Sequence, residues 1–359
     1  MTTTVNPRST ILHYPGTDHQ SLVLLTTPSQ LNNVITTTFN EFNASNKSIK
    51  QILVACVDTI LSSRNAYSEL YLDTPFELQY HQTTEQSAAK NNLERDPLSV
   101  DPVKFDKNWK DQKDLTSLQL TINDTIGKVQ LANTLFANGE YNTCFYVGGE
   151  KFDWHNLSNA NVKINFKNGS KGKLQYSNRL SEIPLVEDAQ DNRVYQVTDF
   201  EGNLVKSIND EPASGYLINN SKVMGSKKDL FFKLYESEEK SKPWKDEYYR
   251  LLVGGLGWGE KQAIIAIDPI VGNIGYRKVK LYYYNSETPE YKPKIMNSQE
   301  HMIVWECSEL ENGYDSYQAD TEENTETIYS NIFGIGCEAG YELDGITHRS
   351  HAETIELKY

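Results

Sequence analysis

Residues 21–57 constrain the fold of this 359-residue chain more tightly than any other stretch. SLVLLTT (21–27) is a continuous apolar run of the length of a buried strand, closed by Pro28-Ser29. Leu31, Val34, Ile35, Thr38, Phe39 and Phe42 then recur at the helical period and give one apolar face. Asn and Ser at 43–48 end that helix, and IKQILVACV (49–57) resumes as a second buried run with Cys56 at its carboxyl end. Strand, helix and strand joined by short links predict a βαβ unit, with parallel pairing and a right-handed crossover.

A second pair of apolar runs lies near the carboxyl terminus. HMIVWEC (301–307) and NIFGIGC (331–337) each stop at a cysteine followed by polar or small residues, Ser308 after the first and Glu338-Ala339-Gly340 after the second. Binding groups collect where strands open into loops. Cys307 and Cys337 are therefore expected side by side at one rim, facing the equivalent end of the first βαβ unit at Cys56.

Between these anchors, 66–72 and 76–80 read as strands of an antiparallel extension, separated by Asp73-Thr74-Pro75. The polar stretch 84–116, with Pro97 and Pro102, reads as a surface insertion, and 115–122 as a strand. Asp124 is placed to cap a helix carrying Ile126, Val129, Leu131 and Leu135. From Val162 the pattern alternates between strands and glycine-containing turns: 162–166 with 173–177, then 193–200 with 204–208, each expected as a hairpin. A short helix follows at 212–219, then strands at 248–253, 261–267 and 277–284, and a closing edge strand at 354–359. The expected fold class is α/β, in two related halves with mixed sheets and flanking helices. An arm over 1–19 precedes a half spanning 20–150 and a strand-rich half spanning 151–359.

Net charge narrows the partners. Thirty-five Lys and Arg against 49 Asp and Glu leave −14, which repels phosphate backbones and anionic lipid surfaces, so nucleic acid is not an expected partner. No run approaches the ~18 apolar residues of a membrane span. The start of the chain lacks the apolar core of a secretory signal, so a cytoplasmic protein is expected; an acid-poor start with only Arg8 leaves a mitochondrial leader open. Four cysteines at 56, 144, 307 and 337 lack metal-ligand spacing, so neither a zinc site nor a disulfide framework is expected, and no motif names a cofactor.

Several segments together resemble the FIST module (F-box and intracellular signal transduction). They are LVLL–helix–ILVAC (22–56), VYQVTDFEGNLVKSINDEPASGYL (194–217), LLVGGLGWGEKQAIIAIDPIVGNIGY (251–276), MIVWECSELENG (302–313) and FGIGCEAGYELDG (333–345). Glu309-Leu310 and Gly340-Tyr341-Glu342-Leu343 stand where the module's usual pattern has a Gly-Arg pair and Gly-Glu-Ile-Gly. The resemblance implies a stand-alone sensor or adaptor binding a small polar metabolite or a protein partner, with no established reaction. A ubiquitin-ligase-associated adaptor is a further reading, against which stands the lack of an F-box-like segment before the first strand.

An enzyme reading rests on Cys307 as nucleophile with His348 or His351 as base. No Lys or Arg falls between 295 and 348 while twelve Asp and Glu do, and that charge raises a thiol pKa. The glycines at 254–259 precede a β-like run rather than a helix, which fits a hairpin better than a phosphate cradle. The expected ligand-contacting residues are Cys56, Cys307, Ser308, Cys337, Glu338 and Glu342.

Overall fold

The computed structural model describes the chain except residues 17, 44–48, 83–116, 140–141, 149–152, 165–172, 188–192, 224–228, 237–242, 255–263, 289–291, 294–299, 309–324 and 351. The proposed insertion, the glycine loop beyond Gly254 and His351 lie outside the described residues.

The βαβ unit forms as its periodicity dictates. Ser21–Thr26 and Gln51–Cys56 pair in parallel, with the helix Leu31–Asn43 between them. Leu31, Val34 and Thr38 are buried under that helix, while Phe39 turns outward at 48% exposure. Around the unit grows a twelve-stranded sheet. Its order is Thr327–Ser330, Thr2–Val5, Ala66–Leu72, Ser21–Thr26, Gln51–Cys56, Cys144–Gly148, Asp153–Ile164, Ser117–Ile122, Thr125–Gln130, Tyr341–Leu343 and Ile346–His348; Glu77–Gln82 pairs beside Asp153–Ile164. Residues 2–5, expected in an arm, are thus a strand within this sheet.

A four-stranded sheet, Lys173–Ser177, Glu353–Lys358, Met302–Cys307 and Ile332–Cys337, lies against it. Ile303, Trp305, Phe333, Ile335, Ile355 and Leu357 meet Val23, Leu25, Leu53, Leu118, Leu120 and Val162 in one apolar core. This core unites residues from both expected halves. An eight-stranded sheet built from Leu180–Ile183 through Lys278–Tyr284 closes over a second core, with the helix Ala213–Ile218 contributing Ala213, Tyr216 and Leu217.

The α/β expectation is overturned. The described residues are 52% strand and 11% helix, with three α-helices, so the flanking helix layers are absent among them. Several local expectations fall with it. The helix expected after Asp124 is the strand Thr125–Gln130, hairpinned to Ser117–Ile122 through Asn123 at φ 52°. Gly127 and Val129 face inward on that strand, and Gly127 lies so close to the buried Trp305 indole that a Cβ there would overlap it. The expected strands Ala66–Leu72 and Glu77–Gln82 do form and both pair antiparallel, in different parts of the large sheet. Lys173–Ser177 pairs with Glu353–Lys358, not with the preceding strand, and this makes the last strand central rather than an edge. The hairpin Val197–Glu201 with Leu204–Ile208 forms as expected.

Candidate functional site

Met302–Cys307 and Ile332–Cys337 run parallel in full register, so Cys307 stands directly beside Cys337. Glu353 stands opposite Cys307 on the other side. Register partners share a face, and in both strands the odd-numbered residues point into the core. The even-numbered residues point the other way, and this places Glu306 and Ser308 against the segment that follows the βαβ unit.

That segment is a tight turn. Ile60 and Ser63 exchange both backbone hydrogen bonds, 2.9 and 3.0 Å, across Leu61 at φ 47° and Ser62 at φ 59°. Neither residue is the Asn or Gly that such a two-residue turn favours. Glu306, 2% exposed, holds it: its carboxylate accepts from Ser62 N at 2.7 and 3.0 Å, from Ser62 Oγ at 3.0 Å and from Ser308 Oγ at 2.7 Å. Ser308 Oγ also bonds Thr59 Oγ1. The turn packs on two glycines of the neighbouring strand. A Cβ on Gly336 would lie 2.6 Å from Thr59 Oγ1, and one on Gly334 2.9 Å from Leu61 Cγ.

The turn presents polar groups on both sides. Asp58 Oδ2 accepts from Cys337 Sγ at 3.2 Å and from the Glu338 backbone N–H at 3.4 Å. Arg64, 51% exposed at its side chain, meets Glu338, 27% exposed, at 2.6 Å. Asn65 Oδ1 accepts from Gln30 Nε2 at 2.6 Å, at the start of the first helix. Backbone strain of this kind persists where surrounding structure over-determines it, and it concentrates at functional sites.

Ser308, Cys337 and Glu338 are therefore brought together at this turn, while Cys307 stands beside Cys337 in register with its side chain turned into the core. Cys56 and Glu342 are not brought there. The Cys56 side chain packs with Leu31 and Ala132, on the helix-covered face of the large sheet, because positions 53, 55 and 57 take the opposite face. Glu342 is exposed and stands opposite Lys128 and Thr347, since Tyr341 and Leu343 on either side claim the interior. Asp58, Thr59, Ser62, Arg64 and Glu306 were not singled out by sequence. A polar run directly after a buried strand, Asp58-Thr59 and Ser62-Ser63-Arg64-Asn65, was the available signal.

The thiols are held protonated. Burial raises Cys307 well above its ordinary pKa, and the charges of Glu353 and Glu306 add to it. Burial and Asp58 raise both Cys337 and Cys56, and burial alone brings Cys144 to about 12. His348, expected as a base, is fully buried; its Nδ1 lies 2.8 Å from Glu353 Oε1 and its ring stacks on Tyr341 at 4.9 Å. Glu353 also accepts from Tyr176 Oη, Ser350 N and Ser350 Oγ, so this pair is a bonded structural hub.

Among the described residues no group of three or more His, Cys, Asp or Glu is placed to hold a metal ion, and no helix is long and apolar enough to cross a membrane. No protein-family model, curated protein or solved structure matches the chain.

Proposed function

We propose that the chain is a non-catalytic sensor or adaptor of the FIST type, which takes a small polar metabolite or a protein partner at the rim between Asp58–Asn65 and Ser308, Cys337 and Glu338. The observation that carries this reading is the state of the thiols. A cysteine nucleophile needs a thiolate at neutral pH and a cation or helix N-terminus to favour it. Here burial and neighbouring carboxylates act in the opposite sense on both rim cysteines. What remains at the rim are hydroxyls, a carboxylate and an exposed guanidinium, groups suited to orienting a ligand by hydrogen bonds and charge. The FIST resemblance, a cytoplasmic location and a discrimination against nucleic acid belong to the same reading.

A thermal-shift screen of metabolites against the wild-type protein tests it. A ligand at about one hundred times its Kd should stabilise the fold by about 2.7 kcal/mol. That gain should shrink in Arg64→Ala and Glu338→Ala. A screen without a stabilising compound, or hits indifferent to both substitutions, would count against the rim.

A further inference from the structure

We propose that residues 6–14 form a pH-sensitive strap across this rim, latched where His13 meets the buried carboxylate of Glu69. The inference rests on the rim as the ligand site and assigns its regulation.

The strap is fixed at one end and clasped at the other. Thr2–Val5 is bonded between Ala66–Leu72 and Thr327–Ser330. The chain leaves the sheet at Asn6, whose φ is 51°. Its N–H donates to Asn65 O at 2.7 Å, and its Oδ1 accepts from Ser63 Oγ at 3.3 Å. Thr10 Oγ1 donates to Gln30 Oε1 at 3.0 Å. Two residues of the rim, Ser63 and Asn65, and Gln30, which is bonded to Asn65, are thus occupied by the strap beside Arg64.

Farther on, Ile11 exchanges hydrogen bonds with Tyr67 Oη, 3.2 Å from its N–H and 2.8 Å to its carbonyl. His13 then gives Glu69 two contacts, backbone N–H to Oε2 and Nδ1 to Oε1, both 2.8 Å. Tyr71 Oη donates to Oε2 at 2.8 Å. Glu69 is fully buried, so its carboxylate oxygens are satisfied by these partners rather than by water. Apart from this latch the strap buries little. Leu12 is its one buried side chain between residues 6 and 14, while Arg8, Ser9 and Ile11 are exposed. Segments with few buried apolar contacts open at low free energy.

The ionic surroundings favour a charged imidazole. His13 is raised above its ordinary 6.5 by its hydrogen bond to Glu69, against its own partial burial, with the charges of Glu69 and Glu326 adding. Glu41 on the first helix acts on Tyr71, the Met1 amino group lies near Glu69, and His19 pairs with Asp73 at 2.8 Å. Because closure raises the His13 pKa, its contribution to the latch is complete below 6.5 and is lost as pH rises through the raised value. Opening frees Ser63, Asn65 and Gln30 for a ligand.

Hydrogen exchange read by mass spectrometry at about pH 6 and about pH 9, as protection factors corrected for intrinsic rates, tests the strap. Loss of the imidazolium charge above the raised His13 pKa removes its share of the latch, so protection at Ile11 and His13 should fall between the two pH values while residues 21–26 are unchanged. His13→Gln should lower protection at the acidic pH and flatten its pH dependence. Tyr67→Phe should lower it at both pH values and keep the dependence. Equal wild-type protection at both pH values, or wild-type protection in His13→Gln, would overturn the latch. A strap that responds while no metabolite binds leaves the latch standing and removes the rim; a metabolite bound with an unresponsive strap does the reverse.

Discussion

Replacing Glu306 with Ala probes the geometry of the rim most sharply. The carboxylate receives two hydrogens from Ser62, one from N–H shared at 2.7 and 3.0 Å and one from Oγ at 3.0 Å, and a third from Ser308. Hydrogen bonds to charged groups contribute about 1.5–3 kcal/mol each. Ser308 retains Thr59 as a partner, so the loss concentrates on Ser62. Two such bonds give about 3–6 kcal/mol, from which relief of the buried charge subtracts part. A net loss of about 2–3 kcal/mol is expected, read as a shift of the urea midpoint in tryptophan fluorescence at unchanged slope.

Ser62→Gly then separates the turn's strain from its bonding. At φ 59° glycine relieves about 1 kcal/mol. In the wild-type background the lost Oγ hydrogen bond outweighs that gain and the substitution is destabilising, whereas in Glu306→Ala the bond is already gone and the gain of about 1 kcal/mol should appear. A loss below about 0.5 kcal/mol in Glu306→Ala, or the same Ser62→Gly effect in both backgrounds, would refute the idea that this carboxylate holds the turn.

Two other substitutions address the core behind the rim. Gly127→Ala drives a methyl into the Trp305 indole, which is 1% exposed and must be displaced within the core, so a loss of about 1–3 kcal/mol in thermal unfolding is expected; an unchanged Tm would contradict the close approach. Glu353→Ala leaves His348 Nδ1, Tyr176 Oη and the Ser350 N–H and Oγ without their acceptor, a cost of about 3–5 kcal/mol, and circular dichroism showing wild-type stability would deny its role as hub.

The first βαβ unit and the two cysteine-ended strands were legible because each is decided locally, by periodicity and by unbroken apolar runs. The strand at 125–130 was not. Its inward positions include Gly127, whose missing side chain is supplied by Trp305 from a distant strand, and this hides the alternation while Ile126, Val129 and Leu131 imitate a helical stripe. The pairing of 173–177 with the last strand depends on a partner remote in sequence and leaves no local trace. The same holds at the rim. Leu61 and Ser62 carry no turn signature, and their conformation is set by a carboxylate 244 residues away. Cys56 shows a simpler limit: its position at the strand end was correct, but the alternation of the strand sends its side chain to the helix-covered face.

Alkylation of the native protein, with each cysteine followed by mass spectrometry across pH, bears most directly on a binding rim without a nucleophile. Thiols buried beside Glu353, Glu306 and Asp58 should stay unlabelled at neutral pH and react only on unfolding. Rapid, selective modification of Cys307 or Cys337 below about pH 7 would mean a stabilised thiolate, and a catalytic cysteine would replace the sensor.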